Sequence, residues 1–381
     1  NCPHYVMNAF FLLISEGGQK MKREGQIRIP SGCAIAGVID KSGKVFNGEI
    51  IIRSIAAMHE RSNGLGGGFA AYGIYPQYQD AYALHIFYDH ETAKFNCEEY
   101  LKRFFDIVHQ GEIPTRSIKE ITDAPLIWRY FVHPLPSKLS MSELDETEYV
   151  ARCVFEVNTR IDGAYIFSSG KNMGIFKGVG YPEDIGRFYR LEEYEGYCFT
   201  AHGRYPTNTP GWWGGAHPFG LLNYSVVHNG EISSYDTNRR TLEMYGYPCT
   251  LQTDTEVITY IIDYLHRKLG LEFPEIAAVI APPFWQTIER MPSAEQEYHT
   301  YLRNVFSSLL VNGPFSILIG FAGGIAALND RLKLRSLTLG EKGSRVYFAS
   351  EEAAIRIVEP DLSRVWAPKG GEPVVVLWGD A

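Results

Sequence analysis

The segment at 33–40, with the sequence CAIAGVID, constrains the fold more strongly than any other part of this chain. Its alternating short residues predict a β-strand, in which successive side chains point to opposite faces. The small residues Ala34, Ala36 and Gly37 fall on both of those faces. We therefore predict a core strand that is packed tightly on both sides, with Cys33 at its start.

Cys33 itself has two interpretations. A buried structural thiol is the commoner fate of a free cysteine. The alternative is a nucleophile at the start of a core strand. The other cysteines are scattered and form no CxxC or CxxxxC pattern, which argues against a zinc or iron–sulfur site and against a disulfide framework. A reducing, cytoplasmic location is the expectation that follows.

Composition is that of a water-soluble globular protein. The chain has 381 residues, of which 45% are hydrophobic and 21% charged, with a net charge of −8. It contains no basic cluster that would indicate nucleic-acid binding. The apolar run at 5–14 is too short to span a bilayer. We therefore expect neither a nucleic acid nor a membrane among its partners.

Polar residues are concentrated among Gly and Pro in the stretch 201–257. Arg204 precedes Tyr205-Pro206, and the proline favours extended backbone before it, so the arginine is predicted close to a strand end. The apolar run 221–228 ends at Asn229-Gly230, a pair that predicts a sharp turn with outward N–H groups.

The same stretch ends in a predicted helix start. Thr253-Asp254-Thr255-Glu256 has the pattern of a capping box, with Asp254 in the first turn, where the helix dipole favours a carboxylate. Taken singly, Arg204 suggests a salt bridge, Asn229-Gly230 a hairpin and Asp254 a helix-stabilising charge. Together they supply a cation, a donor pair and an anion, which is what holding a free amino acid requires.

The remaining pattern indicates an α+β protein whose sheets are covered by helices. We predict a helix over 251–270, a hairpin from 163–167 and 173–176, and late strands that include 315–321, 355–358 and 374–377. The Gly-rich segment 64–68 lacks the pattern of a phosphate-binding loop. It more simply allows close backbone approach, or forms a flexible loop near the site. The segment at about 110–150, with several prolines and a polar run, is predicted to be a surface insertion.

Several motifs resemble those of class II glutamine amidotransferases. CAIAGVID is similar to the start of that family, and AHGRYPTNT, GAHPF, HNGEI and TDTEV follow in the family's order. Near the C-terminus, NGPFSILIGF, AALNDRLKLRS and YFASEEAAI resemble the amidotransferase domain of glutamate synthase. The resemblance covers 33–381, and the order of the motifs makes it specific.

This resemblance implies a four-layer αββα N-terminal-nucleophile hydrolase sandwich of two antiparallel sheets over 33–381. Residues 1–32 would be a leader or pro-segment whose removal frees Cys33. Cys33 would be the nucleophile, with its own α-amino group as the base. The Asn229 side-chain amide and the Gly230 N–H would form an oxyanion hole. Arg204 would bind the α-carboxylate of glutamine and Asp254 its α-ammonium group.

The implied activity is hydrolysis of the side-chain amide of L-glutamine through a cysteine thioester. The ammonia would pass to the catalytic subunit or subunits of a glutamate synthase, in glutamate biosynthesis and nitrogen metabolism. We expect no cofactor and no metal on this chain, with FMN and iron–sulfur clusters on the partner subunits. Two alternatives remain open, a different N-terminal-nucleophile amide hydrolase and a non-catalytic glutamine-binding or scaffold subunit.

Overall fold

The strand predicted at 33–40 lies at the centre of the fold. In the computed structural model, which describes residues 32–205 and 211–379, every residue of β1 (Ala34–Asp40) is buried. It is the fourth strand of a seven-stranded antiparallel sheet. Across that sheet the order is β17 (Arg364–Trp366), β15 (Thr338–Lys342), β16 (Arg345–Ala349), β1, β10 (Cys198–Gly203), β3 (Gly67–Tyr72) and β8 (Met173–Gly178).

A second antiparallel sheet of five strands packs against the first. The side chains of its strands alternate between two hydrophobic clusters, as the period of a strand requires. Val227, Leu318 and Ile325 belong to the cluster between the sheets, and Val226 and Ile317 to the cluster on the outer face. Its order is β11 (Phe219–Leu221), β12 (Tyr224–Gly230), β13 (Phe315–Phe321), β14 (Gly324–Asn329) and β18 (Val374–Leu377).

Gly37 shows why β1 needs small residues. A Cβ atom at this position would lie 3.0 Å from the Cδ1 atoms of both Leu318 and Ile325, which come from the facing sheet. That spacing is tighter than ordinary van der Waals contact, so a side chain at residue 37 would force Leu318 and Ile325 to shift.

Helices cover the outer faces of both sheets. The seven-stranded sheet is covered by the helices at 49–56, 182–188 and 352–356, and the five-stranded sheet by the helix at 254–262. The described helices are α1 (Glu49–Ala56), α2 (Glu91–Phe104), α3 (Pro136–Ser142), α4 (Glu146–Arg160), α5 (Pro182–Phe188), α6 (Tyr235–Met244), α7 (Asp254–Ile262), α8 (Phe273–Ile280), α9 (Trp285–Ile288), α10 (Ser293–Val305) and α11 (Glu352–Arg356). The predicted α+β class and the four-layer αββα sandwich of two antiparallel sheets are confirmed.

A separate four-stranded antiparallel sheet includes part of the segment predicted to be a surface insertion. Its order is β5 (Phe105–Glu112), β6 (Leu126–Pro134), β4 (Tyr82–Tyr88) and β7 (Ala164–Ser168). Tyr130, Phe131 and Val132 of β6 are buried, because β6 is an inner strand of this sheet. The segment 110–150 is therefore not confined to the surface, although the predicted domain boundaries themselves stay a prediction. The two short strands β2 (Phe46–Asn47) and β9 (Glu195–Gly196) pair with each other.

Three local predictions need correction. The strands at 163–167 and 173–176 do not form a hairpin, because β7 pairs with β4 and β8 with β3 in different sheets. Residues 355–358 begin within α11, whose short apolar face cannot be distinguished from a strand by pattern alone. The helix predicted over 251–270 begins only at Asp254 and continues as a π-helical segment, Asp263–Lys268.

Two further predictions concern a membrane span and the leader. Within 32–205 and 211–379, no helix has the length and apolar character needed to cross a membrane. The predicted leader lies, apart from Gly32, outside the described residues.

Candidate active site

Cys33 and Arg204 lie side by side because of the register between β1 and β10. Ala34, the first residue of β1, pairs with Gly203, the last residue of β10. Cys33, which precedes β1, therefore lies beside Arg204, which follows β10. Cys33 is partly buried, and its Sγ accepts a hydrogen bond of 3.3 Å from the backbone N–H of Tyr205. Its carbonyl oxygen accepts from Arg61 Nε at 3.2 Å. The candidate nucleophile is therefore anchored at both its sulfur and its backbone.

The electrostatic surroundings raise the pKa of the Cys33 thiol above its ordinary value. Burial is the main cause, and the Asp254 carboxylate adds to it. The Tyr205 N–H and the guanidinium groups of Arg204 and Arg335 act in the opposite direction without cancelling the effect. At neutral pH the thiol thus keeps its proton, and a base is needed to form a thiolate.

Arg204 is only 4% exposed and lies against the Gly-rich segment 64–68. Its backbone N–H donates to the Gly66 carbonyl at 2.9 Å, and Gly66 has a φ of +156°. A Cβ atom at Gly66 would lie 3.0 Å from Arg204 Cδ, so the glycine allows close approach, as predicted. Burial lowers the pKa of Arg204, partly offset by Cys33 and Asp254. Its guanidinium therefore lies close enough to Cys33 and Asp254 for their charges to interact.

Asn229 and Gly230 are the last two residues of β12 rather than a sharp turn. They pair with Ser316 and Phe315 of the neighbouring strand. The glycine is explained by packing, because a Cβ atom there would collide with the Pro314 carbonyl oxygen. The turn prediction failed because a glycine after an asparagine suits two different structures. It allows a tight turn in a loop, and in a strand it allows a neighbouring backbone to come close.

Ser350 connects Asn229 to the start of β1, and sequence reasoning did not single it out. Asn229 Nδ2 donates to Ser350 Oγ at 3.4 Å, and the same Oγ accepts from the Ile35 N–H at 3.1 Å. Ser350 N–H in turn donates to the Ile35 carbonyl at 3.0 Å. Asn229 Oδ1 is buried and has no hydrogen-bond partner among the described residues. The available signal was the Ala-Ser-Glu run that supports the family resemblance.

Asp254 lies in the first turn of α7, as predicted, and is fixed there by two neighbours. Its Oδ1 accepts from Thr255 Oγ1 at 3.2 Å and lies 3.5 Å from His228 Nδ1. Burial alone would raise its pKa, but His228 and Thr255 outweigh that effect and lower it. The carboxylate is therefore ionised at neutral pH and can receive a cation.

The geometry of three buried histidines around this region favours a supporting role. His202 stacks on His217 with ring centroids 4.2 Å apart, and its Nε2 lies 2.9 Å from the His228 carbonyl oxygen. Since a carbonyl oxygen only accepts, His202 donates from that nitrogen. Burial lowers the pKa of His202 to about 3 and that of His217 well below its ordinary value. Both rings are therefore neutral and support the neighbouring strands.

Glu256 has a different role from the one predicted by the capping-box pattern. Thr253 is the N-cap and accepts from the Thr255 N–H, but Glu256 does not bond back to Thr253. Instead its oxygens accept from the N–H groups of Thr250 and Leu251, at 3.2 and 3.0 Å. It thereby fixes the segment that leads the chain into Asp254.

A buried lysine accompanies this glutamate. Lys177 is fully buried, and its Nζ donates to the Gly214 carbonyl at 2.9 Å. Burial lowers the pKa of Lys177 well below its ordinary value, and burial raises the pKa of Glu256 to about 7. Trp213, in the same loop as Gly214, packs between Phe87 and Phe188 in the core.

The raised pKa of Glu256 makes a prediction for stability. In the unfolded chain this carboxyl ionises near its ordinary value of 4.5, whereas in the fold it stays protonated up to about 7. Its stabilising contribution is therefore complete below the lower pKa and is lost as the pH rises through the higher one. Relative to Glu256→Gln, the wild-type free energy of unfolding should fall by about 2.5 kcal/mol between about pH 5 and pH 8.

Urea denaturation at the two pH values measures this difference. Glu352→Gln, which removes a carboxylate paired with Arg356 at the surface, is the matched control and should parallel the wild type. Parallel pH dependence of the wild type and Glu256→Gln would contradict the assignment.

Comparison with known proteins places the chain in a family. The family model for class-II glutamine amidotransferases matches residues 115–376, more than half of the chain. That range contains Arg204, Asn229, Gly230 and Asp254, whereas Cys33 precedes it.

Individual relatives agree with this match. The chain is 52% identical over 346 residues to an uncharacterized protein of Archaeoglobus fulgidus, covering 90% of this chain and 91% of that protein. It is 27% identical over 224 residues to an amidophosphoribosyltransferase of Methanocaldococcus jannaschii, covering 58% and 41%. It is 38% identical over 102 residues to a glutamine–fructose-6-phosphate aminotransferase of Sulfurisphaera tokodaii, covering 26% and 17%. The chain belongs to the class II glutamine amidotransferases.

Proposed function

We propose that this chain hydrolyses the side-chain amide of L-glutamine and supplies the ammonia to a glutamate synthase partner. The observation that carries the proposal is the juxtaposition of Cys33 with Arg204 and Asp254 in one electrostatic neighbourhood. Arg204 is the cation for the α-carboxylate and Asp254 the anion for the α-ammonium group. A free amino acid held at both ends of its backbone would present its side chain to the thiol.

Removal of residues 1–32 supplies the base in this proposal. The thiol of Cys33 has a raised pKa, so it needs a proton acceptor. Once Cys33 is the first residue, its α-amino group titrates near pH 8 and is available in neutral form. While Gly32 remains attached, that nitrogen is an amide and cannot act as the base. Processing therefore controls activity.

The proposed reaction has two stages, the formation of a thioester on Cys33 and its hydrolysis. The α-amino group takes the thiol proton, and the sulfur attacks the side-chain amide carbon. The negative charge that develops on the amide oxygen is stabilised by the Asn229 side-chain amide and the Gly230 N–H. The amide nitrogen of the substrate takes this proton from the α-amino group and leaves as ammonia, so that a thioester remains on Cys33. Water cleaves the thioester and releases glutamate.

Processing and the nucleophile can be tested together. Protein whose first residue is Cys33 should release ammonia from glutamine, and Cys33→Ala should fall below about one thousandth of that rate. Protein that retains residues before Cys33 should be inactive. Cys153→Ala, which alters a buried cysteine in α4, is the control and should keep its activity. Equal glutaminase rates with and without the preceding residues would rule out the α-amino base.

The role of Asp254 predicts a change in specificity. Wild-type enzyme should prefer glutamine over 5-amino-5-oxopentanoate, which lacks only the α-ammonium group, by about 10- to 100-fold in kcat/KM. Asp254→Asn should lose most of that preference, because only the contact with the ammonium group is removed. Asp236→Asn changes an exposed aspartate in the first turn of α6 and serves as the control. A preference unchanged in Asp254→Asn would assign the ammonium group to another residue.

The partner is supported by the resemblance of the C-terminal motifs to the glutamate synthase amidotransferase domain. In this proposal FMN and the iron–sulfur clusters reside on the partner. We expect a native complex to contain this chain together with a protein that shows flavin and iron–sulfur absorption. Glutamine-dependent synthesis of glutamate from 2-oxoglutarate should require both. Synthesis by this chain alone, or ammonia release with no such complex, would contradict the partner.

Two other outcomes would favour the alternatives. Cleavage of peptides but not of glutamine would indicate a different N-terminal-nucleophile amide hydrolase. Glutamine binding without turnover in fully processed protein would indicate a non-catalytic binding or scaffold subunit.

A further inference from the structure

A cavity of about 380 Å³ lies at the end of β3 that is remote from Cys33. β3 begins at Gly67, which pairs with Gly203 next to Arg204, and ends at Tyr72. Tyr75 therefore follows the far end, about 20 Å from the candidate active site at the usual rise of a strand. The walls combine the rings of Tyr75, Tyr78, Phe131 and Tyr194 with two arginines, Arg129 and Arg190, and one carboxylate, Glu193.

Arg129 is the unusual member of this set. It is partly buried, and its guanidinium carbon lies 4.8 Å from the ring centroid of Tyr75 and 5.2 Å from that of Phe131. Its polar neighbours are tyrosine side chains, Tyr75 and Tyr194. No carboxylate among residues 32–205 and 211–379 forms an ion pair with it, whereas nearby Arg190 is paired with Glu193. A partly desolvated cation without an anion is an unfavourable arrangement that a bound anion would relieve.

A buried hydrogen-bond chain fixes the orientation of Arg129. His85 is fully buried, with Nδ1 2.8 Å from the Ile175 carbonyl oxygen and Nε2 2.9 Å from the Tyr75 hydroxyl. The carbonyl only accepts, so Nδ1 carries the hydrogen. Burial lowers the pKa of His85 to about 3, so the ring is neutral and Nε2 must accept from Tyr75. The Tyr75 oxygen is then left to accept from Arg129 Nη1 at 3.1 Å.

The direction of this chain leaves donors available. Arg129 gives N–H groups to the Tyr75 oxygen and to the Tyr194 side chain, and its planar fork has further N–H groups beyond these. Because the chain runs from Arg129 through Tyr75 to His85 and ends on a carbonyl, nothing in it neutralises the positive charge. The guanidinium is therefore held in place beside the cavity with its charge intact.

We propose that this cavity binds a small organic anion, with Arg129 binding its carboxylate or phosphate-monoester group. A guanidinium fork matches both of these groups with two parallel hydrogen bonds. The apolar wall residues Ile74, Pro76 and Pro114 together with Phe131 suit a ligand that has an aromatic or apolar body. The volume lies within the range of about 300–1,000 Å³ that is usual for small-molecule sites.

Calorimetric titration of the full chain with four probes tests the chemistry. Benzoate and phenyl phosphate represent the two anionic classes, benzamide is the neutral shape match, and inorganic phosphate lacks the apolar body. We expect benzoate or phenyl phosphate to bind with a Kd of about 1 mM or tighter. Benzamide and inorganic phosphate should each bind about 10-fold more weakly or worse than the better anion. Whichever of the two anions binds more tightly distinguishes a carboxylate site from a phosphate site.

Variants then locate the binding. Arg129→Gln should weaken the better anion by about 10- to 100-fold. Arg356→Gln, which removes an exposed arginine paired with Glu352 outside the cavity, should leave it unchanged. Binding of benzamide by the wild type as tightly as the better anion, a result that needs no variant to fold, would overturn the proposal. So would unaltered affinity in Arg129→Gln, or no binding of either organic anion.

Discussion

The register between β1 and β10 is the constraint on which the candidate site depends. Pairing of Ala34 with Gly203 brings Cys33 next to Arg204, two residues that are 171 positions apart in the chain. The register cannot slip by one residue without moving the buried faces of both strands to the wrong side. The absence of a side chain at Gly37 then lets the second sheet approach, which brings in β12 with Asn229 and Gly230. The central strand thus positions the candidate nucleophile and the opposite sheet together.

Burial gives this site its chemical character. Arg204 is buried and Asp254 is partly buried, and their opposite charges interact more strongly with a substrate's charges there than they would at a surface. The same burial raises the pKa of the Cys33 thiol. In the proposed function, the site therefore holds a zwitterion but needs a base to activate its sulfur. An α-amino group freed by cleavage before Cys33 meets that need without another side chain.

The sequence predicted the fold well where pattern and packing agree. Small residues on both faces of β1 predicted two covering layers, and both are present. It failed where one pattern serves two structures. Asn229-Gly230 ends a strand against Pro314, and Glu256 bonds to Thr250 and Leu251 rather than completing a capping box. The sequence around a residue does not indicate which backbone groups that residue contacts in the fold.

The site residues show the same division. Arg204 and Asp254 could be proposed from the resemblance and from their charge in a polar, glycine-rich stretch. Ser350 and Lys177 could not be singled out from their own surroundings, because their roles arise from contacts with Ile35 and Gly214 across the fold. Arg129 was likewise unremarkable within an apolar strand. Only the structure shows that Arg129 contacts Tyr75 and forms no ion pair with a carboxylate among the described residues.

The most direct test of the central claim is mass spectrometry of the Cys33 peptide after acid quenching of the enzyme during turnover of glutamine. We predict a glutamyl thioester on a peptide whose first residue is Cys33, and its absence in Cys33→Ala. Continued turnover with no adduct on Cys33, or an adduct on a peptide that still contains Gly32, would contradict the account.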